Sequence, residues 1–264
     1  MFWSVELLIT VKAYPNPSAA LGEAACIAGV TRQGQLRRLY PIPYRDLEDS
    51  QQFKKYQWIS VDTRAAKNDA RPETARPILN SIKLIGKPLP TRDGWRGRRD
   101  IVKKVQSASM CDIQDAQRTA GTSLGFFRPA EIVDMEAKAE DSPTWKQGEL
   151  EKLGQQDLFF TKNKQPLEKI PVGFYYRFRC DRCRNTNPHR MKVIDWELAE
   201  LWRRNRRGYD EATTIALVRR RFMDEMCGPG RDPHFFTGNM AKRQNSFLIL
   251  GVFWPPKTAQ AELF

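Results

Sequence analysis

Histidine and cysteine are scarce in this chain of 264 residues, which contains two histidines and five cysteines. An odd number of cysteines does not fit the disulfide framework of a secreted domain, so we expect free thiols in a reducing cytoplasm. No apolar run approaches the length of about 18 residues that a membrane-spanning helix needs. The amino-terminal segment carries Glu6 and lacks a basic stretch, so it predicts a β-strand rather than a signal peptide.

Several sequence motifs of common enzymes are also missing. The chain has no Walker phosphate loop, no Gly-x-Gly-x-x-Gly segment, no nucleophile elbow and no set of kinase motifs. Neither histidine belongs to a His-x-Glu or His-Glu-x-x-His arrangement, which argues against a catalytic zinc site. No internal repeat is visible. These absences argue against the enzyme classes that depend on such motifs.

What is present is a compact group of metal-binding residue types. Cys180, Cys183 and His189 account for three of the seven histidines and cysteines and lie within ten positions. A Cys-x2-Cys turn points two thiolates at one place, and a nearby imidazole can complete a tetrahedral site. We therefore favour a structural zinc ion. The alternatives are a reduced knuckle without metal and a redox-active cysteine pair, although no thioredoxin-like context surrounds it.

The fourth ligand of this site is not specified by the local spacing. The candidates that follow in the chain are Asp195, Cys227 and His234. We favour Cys227, because the turn-forming residues 228–230 come directly after it and free its side chain from a helix. The predicted zinc ligands are therefore Cys180, Cys183, His189 and Cys227.

Positive charge is concentrated towards both ends of the chain. The net charge is +13 in total, with +5 over residues 1–90 and +7 over residues 176–264. An excess of this sign favours binding to nucleic acid, and the alternative is charge that only keeps the protein soluble. The predicted phosphate-contacting residues are Arg96, Arg98, Arg99, Arg177, Arg179, Arg182, Arg184, Arg203, Arg204, Arg206 and Arg207. Trp95, beside three of them, is a candidate for stacking on a base.

Short alternating apolar segments dominate the first ninety residues. Strands are predicted over residues 5–11, 24–30, 36–40, 56–61 and 78–85, and their spacing favours a small barrel over a parallel sheet. The segments Cys26-Ile-Ala-Gly29-Val and Arg37-Arg-Leu-Tyr-Pro41-Ile-Pro43, with Gly22 and Gly34, resemble the opening of prokaryotic proteins with paired OB-type barrels. The chain is also similar to a bacterial group that ends in Phe-Phe-x-Gly-Asn, here residues 235–239. This resemblance implies a fold rather than a reaction.

The remaining chain predicts a second, α+β region. A short helix capped by Ser109 is followed by a buried strand over residues 123–129 that would return to the barrel. Residues 171–194 predict a strand, the knuckle and a second strand. Asp195 and Asp210 can cap two helices, which form either a helix-turn-helix or, as we prefer, a hairpin covering a sheet. A closing strand is predicted over residues 246–253.

We thus expect an α+β protein with an OB-like barrel region over residues 1–136, a polar linker or insertion over 137–170, and a zinc-knuckle region over 171–264. A buried strand at 157–160 could interrupt the linker. The favoured function is nucleic-acid binding without catalysis, as an accessory protein of a bacterial system acting on DNA or RNA, with protein partners in a larger complex. The alternative is a metal-dependent nuclease or nucleotide-processing enzyme centred on Asp195, His189 and His234.

Overall fold

The computed structural model describes residues 2–154, 165–181, 183–184 and 186–257. In this part of the chain the protein is a mixed α+β structure with an amino-terminal barrel and a carboxy-terminal half of two small sheets and several helices. The first seven strands are β1 (Phe2–Lys12), β2 (Asn16–Ser18), β3 (Gly22–Thr31), β4 (Leu36–Ile42), β5 (Trp58–Ala65), β6 (Thr74–Pro77) and β7 (Lys83–Ile85).

Five of these strands close into a barrel. The order is β1-β3-β4-β6-β5, and β5 pairs back onto β1, so the ring has no open edge. All of the pairs are antiparallel except β4 with β6. The barrel was expected from the alternating pattern, and the structure confirms a closed five-stranded barrel. Its finer assignment to the OB type stays a prediction.

The barrel interior is filled by alternate side chains of its strands. Leu7 and Ile9 of β1 face Ile27 of β3 and Ile59 of β5, and all four are fully buried. Gly29 lies opposite Ile9, where β3 approaches β1 so closely that a Cβ atom would overlap the carbonyl oxygen of Leu8. This position therefore requires glycine for reasons of space.

The carboxy-terminal half contains two further sheets. One has the order β14-β13-β9-β8 and the other β10-β11-β12. Their strands are β8 (Gln106–Ser107), β9 (Leu124–Phe127), β10 (Pro129–Ala139), β11 (Val172–Cys180), β12 (His189–Lys192), β13 (His234–Met240) and β14 (Arg243–Phe253). The helices are α1 (Arg92–Val102), α2 (Met110–Ala120), α3 (Gln147–Gly154), α4 (Trp196–Arg206) and α5 (Glu211–Arg219), and a π-helical segment, Arg220–Glu225, continues α5.

Three helices begin at the predicted caps. The side chains of Ser109, Asp195 and Asp210 accept hydrogen bonds from backbone N–H groups in the first turns of α2, α4 and α5. Helices α4 and α5 pack onto a sheet, because Trp202 and Val218 are buried in the same core as Phe174 of β11. The structure thus confirms a hairpin that covers a sheet rather than an exposed helix-turn-helix. No helix of the described part is long and apolar enough to cross a membrane.

Two strand predictions are corrected. Residues 123–129 were expected to return to the barrel, but β9 pairs with β13 and β8. Residues 78–85 contain only the short strand β7, because Leu79–Ser81 form a 3-10 turn. The Ser81 hydroxyl donates to the carbonyl of Ile78, which holds that turn. The predicted strand at 157–160 lies outside the described residues.

The barrel and the carboxy-terminal half are joined by buried polar contacts. Arg38 of β4 is almost fully buried, and its guanidinium donates to the hydroxyl of Ser123 at 2.7 Å and to the carbonyl of the same residue at 2.9 Å. Lys55 donates to the Asp195 carboxylate at 2.8 and 3.0 Å. Strand β9 and most of β10 fall within the predicted 1–136 region, and both pair with strands of the carboxy-terminal half.

Candidate metal centre and basic groove

The predicted knuckle forms one tight cluster of ligand atoms. The Nε2 atom of His189 lies 3.3 Å from the sulfur of Cys183, 3.4 Å from that of Cys180 and 3.6 Å from that of Cys111. The sulfurs of Cys180 and Cys111 are 3.6 Å apart, and all four ligand atoms lie within 4.8 Å of one another. With bond lengths of about 2.3 Å to sulfur and about 2.0 Å to nitrogen, a tetrahedral zinc ion requires ligand separations of about 3.5–3.8 Å. The cluster has the dimensions of such a site.

Local structure explains how the four ligands converge. Cys180 ends β11 and His189 begins β12, in the register that pairs Phe178 with His189. The imidazole stacks on the Phe178 ring, with the centroids 5.1 Å apart. Cys111 lies in the first turn of α2, immediately after the Ser109 cap. The metal centre therefore joins one helix to the β11–β12 hairpin.

Burial shifts the pKa values of two residues of the cluster. Cys111, Cys180 and His189 are each less than a tenth exposed, and Cys183 is half-buried. Burial raises the pKa of the Cys180 thiol to about 11 and lowers the pKa of His189. Zinc coordination deprotonates thiols and uses neutral imidazole. The donor set of three sulfurs and one nitrogen thus fits a metal ion with no ligand position left open to substrate.

Cys111, rather than Cys227, is the fourth member of this cluster. The Cys227 sulfur instead lies 3.3 Å from the carbonyl oxygen of Phe222 and 3.8 Å from the hydroxyl of Tyr176, and burial raises its pKa to about 12. The prediction failed because Cys111 precedes Cys180 by 69 positions and reaches the site only through the packing of α2. The sequence feature that could have pointed to Cys111 was its position two residues after Ser109, a recognisable helix cap.

The residues of the alternative enzyme hypothesis have separate partners. His189 belongs to the metal cluster, whereas His234 stacks on Phe126 and its Nδ1 lies 3.0 Å from the carbonyl oxygen of Asp232. Asp195 is buried, caps α4 and pairs with Lys55. Burial raises the pKa of Asp195 to about 6, against the opposing effect of Lys55. Each of these side chains has a structural role in the described part of the chain.

Most of the predicted phosphate-contacting arginines pair with acidic side chains. The ion pairs with carboxylates are Arg99–Asp232, Arg177–Glu136, Arg179–Glu131, Arg184–Asp115, Arg203–Glu168, Arg203–Glu200 and Arg204–Glu200. The Arg203 side chain is only 11 % exposed, so it is not part of a freely solvated cluster. Arg206 bonds to the carbonyl of Tyr209, while Arg96 and Arg207 are exposed. Arg182 lies outside the described residues.

A groove lies beside helix α4 and the π-helical segment, and its wider part also contacts residues 54–56 before β5. It consists of a cavity of 640 Å³ and a neighbouring one of 480 Å³, which share Glu197, Arg221 and Met226. Seven cationic side chains line it, against three carboxylates. The cations are Lys54, Lys55, Arg98, Arg204, Arg220, Arg221 and Arg231. We call this feature the basic groove.

Aromatic rings accompany the cations of the basic groove. Trp95, Trp254 and Tyr56 line its wider part. The guanidinium of Arg98 lies 4.1 Å from the ring centre of Tyr56, and those of Arg221 and Arg231 each lie 4.8 Å from Trp254. These contacts keep the guanidinium groups at the groove wall without neutralising their charge.

The backbone is strained at the same place. Tyr56 and Trp95 have φ angles of 60° and 64°, and Asp93 near by has 52°. Residues with side chains seldom adopt these values, which cost about 1–3 kcal/mol each and concentrate at functional sites. The sequence indicated Trp95 and Arg98, but Lys54, Arg231 and Trp254 were missed, because only the fold brings them together.

The carboxy-terminal part of the chain matches a defined protein family. Residues 106–264 match the model described as "Domain of unknown function (DUF8757)". The chain belongs to this family. Residues 4–104 match a second model, "Domain of unknown function (DUF8758)". The two matches in this DUF8757 protein meet near residue 105, whereas the predicted limits at residues 136 and 170 stay a prediction.

Comparisons with individual proteins add little. No curated protein matches the chain. Among solved structures, one similar chain is titled "Structure of murine DNA binding protein bound with ds DNA"; it has 7 % sequence identity and a TM-score of 0.30, with 97 % of this chain and 96 % of that chain covered. A likeness this weak carries no argument about fold or function.

Proposed function

We propose that this protein binds single-stranded nucleic acid in the basic groove, and that the Cys3His cluster holds a structural zinc ion. The observation that carries the proposal is the lining of the groove, where seven cations outnumber three carboxylates beside three aromatic residues. Cations give affinity for the phosphate backbone, and the partly exposed Trp254 ring can accept an unpaired base, while the buried Tyr56 and Trp95 support the groove wall. A duplex hides the faces of its bases, so this combination favours a single strand.

Charge availability along the groove supports the same conclusion. The Lys55 ammonium is paired with Asp195 and Glu197, and Arg221 with Glu225. No carboxylate of the described residues lies within salt-bridge distance of Lys54, Arg98 or Arg231. Arg98 instead donates to the carbonyl oxygen of Leu89, which fixes its position without a direct ion pair. These three cations are therefore the best placed to contact phosphates.

Zinc is the metal that fits the cluster best. Three cysteine sulfurs and one imidazole form a common structural zinc set, and soft thiolates select against Mg²⁺ and Ca²⁺. Since the protein supplies all four ligands, the ion would stabilise the fold rather than activate water. The alternative, a metal-dependent nuclease, would need an open metal position, so catalysis is not part of this proposal.

The test is a binding titration with labelled single-stranded DNA, single-stranded RNA and duplex DNA, followed by fluorescence anisotropy. We compare a groove variant, Lys54→Gln/Arg98→Gln/Arg231→Gln, with a control variant that removes three exposed cations elsewhere, Lys83→Gln/Lys103→Gln/Lys138→Gln. Both lose the same net charge. The groove variant should bind single strands more weakly, and its salt slope should fall by about 0.7 for each lost phosphate contact. Equal affinity of the two variants would refute the assignment of the groove.

A further inference from the structure

A second cleft lies on the barrel, apart from the residues of the basic groove. It has a volume of 440 Å³, which falls in the range of about 300–1,000 Å³ that is usual for small-molecule sites. Strands β4, β5 and β6 and the connection between β5 and β6 supply most of its lining. Its charged and aromatic residues are Tyr40, Arg64, Lys67, Asp69, Arg71 and Arg76.

Two arginines of this cleft lie side by side on neighbouring strands of the barrel. Arg64 of β5 and Arg76 of β6 are directly paired residues in the antiparallel ladder, so their side chains leave the same face side by side. Like charges in such a pair destabilise a sheet. Neither guanidinium lies within salt-bridge distance of a carboxylate in the described part of the chain. Both side chains are exposed, so an anion can enter the space between them and relieve the repulsion.

The one acidic residue of the cleft is already neutralised. The Asp69 carboxylate accepts bonds from Nε and Nη2 of Arg71 at 2.8 and 2.6 Å. Arg71 is 8 % exposed and also donates to the carbonyl oxygen of Asn239 at 2.5 Å, which ties the β5–β6 connection to β13. The pair therefore forms a fixed wall, and Arg64, Lys67 and Arg76 leave the cleft strongly positive.

The Tyr40 ring adds an aromatic surface to the cleft, next to its cations. It is 39 % exposed and lies on β4 beside the cations. A planar ring next to a phosphate-binding pair matches a ligand that combines a base with a phosphate. We propose that this cleft binds a nucleoside phosphate, either a free nucleotide or the phosphorylated end of a nucleic-acid strand. Arg64 and Arg76 hold the phosphate, and Tyr40 packs against the base.

The proposal is tested by calorimetric titration of the full protein with nucleoside monophosphates and with inorganic phosphate. The variant Arg64→Gln/Arg76→Gln should lose at least tenfold in nucleotide affinity, whereas the control Lys83→Gln/Arg118→Gln should bind like the wild type. Tyr40→Ala should weaken nucleotide binding and leave phosphate binding unchanged. Without ligand, Arg64→Gln/Arg76→Gln should unfold at a higher temperature than wild type, because the repulsion is gone; this also shows that the variant is folded.

Oligonucleotides with and without a terminal phosphate distinguish the two sources of the ligand. A preference for the phosphorylated strand that disappears in Arg64→Gln/Arg76→Gln identifies a strand end, and binding of monophosphates alone identifies a free nucleotide. No measurable binding of any phosphate-bearing probe would overturn the proposal, as would wild-type affinity in Arg64→Gln/Arg76→Gln. A Tyr40→Ala variant with unchanged nucleotide affinity would overturn the recognition of a base. None of these variants alters the basic groove, so this proposal and the proposed function fail separately.

Discussion

The identity of the fourth metal ligand can be tested by exchanging two cysteines separately. Cys111→Ser removes the ligand that the structure places in the cluster, and Cys227→Ser removes the ligand that the sequence favoured. Both exchanges replace sulfur by oxygen in a protein core, which makes them a matched pair. Only Cys111→Ser should release the metal.

The magnitude follows from the chain separation of the ligands. A metal ion in the cluster would join Cys111 to Cys180, which are 69 positions apart. If the metal acts as a cross-link, closing a loop of this length restricts the unfolded chain by about 4 kcal/mol. A protein of this size changes its melting temperature by roughly 2–4 °C for each kcal/mol. Cys111→Ser should therefore lower the melting temperature by roughly 8–16 °C.

The assay combines elemental analysis with thermal unfolding of protein purified without chelator. Wild type and Cys227→Ser should each hold about one zinc ion per chain, and a strong chelator should lower the melting temperature of both. Cys111→Ser should hold little zinc and respond weakly to chelator. Retention of one zinc ion by Cys111→Ser, or its loss from Cys227→Ser, would refute the proposed ligand set.

Three further predictions follow from other parts of the structure. Metal affinity should rise steeply with pH in competition titrations, because the three cluster thiols must lose protons when the metal binds. The histidine adds little to this dependence, since its pKa is already lowered. An affinity that does not change with pH would contradict this prediction. Gly29→Ala should destabilise the barrel by more than 1 kcal/mol in denaturant titrations, because the added Cβ would overlap the Leu8 carbonyl. The control is Gly97→Ala at an exposed position of α1. Its added Cβ meets no atom within 4 Å, so the stability should be unchanged or higher. Burial and the neighbouring Lys55 lower the pKa of Lys12 from 10.5 to about 8. The unfolded chain therefore binds this proton more tightly than the folded protein does. For this reason Lys12 should make the stability rise with pH between about 8 and 10.5. Lys12→Met should remove that rise, and an unchanged pH profile of its unfolding would count against the lowered pKa.

Local patterns predicted the local parts of the metal centre. Cys180, Cys183 and His189 lie on one hairpin, so their short spacing along the chain also keeps their side chains close in space. Their grouping could therefore be predicted from the sequence. Cys111 depends on α2 packing against β9 and β14, a long-range arrangement with no periodic signal in the sequence. The buried strand of residues 123–129 shows the same limit. Its apolar character predicted a strand, but the choice between barrel and β13 depends on partners far along the chain.

The basic groove was predicted only through its charge. Clustered arginines identified a cationic carboxy-terminal region, yet most of those side chains pair with carboxylates of neighbouring elements. The cations that lack such partners, among them Lys54 and Arg231, lie far from one another in the sequence and meet where the barrel contacts β14 and the π-helical segment. Charge composition therefore indicated a type of ligand, but not the surface that would bind it.

The metal centre and the basic groove are connected through one hydrophobic core. Cys111 and Cys180 belong to the same buried cluster as Met226 and Val252, which line the groove. Loss of the metal would first loosen the packing of α2 and the β11–β12 hairpin in this cluster, and then the support of the groove wall. Metal removal should therefore weaken nucleic-acid binding only in parallel with loss of tertiary structure. The groove variant should weaken binding while its melting temperature stays close to that of wild type, and this contrast separates the structural role of the metal from direct contact with the ligand.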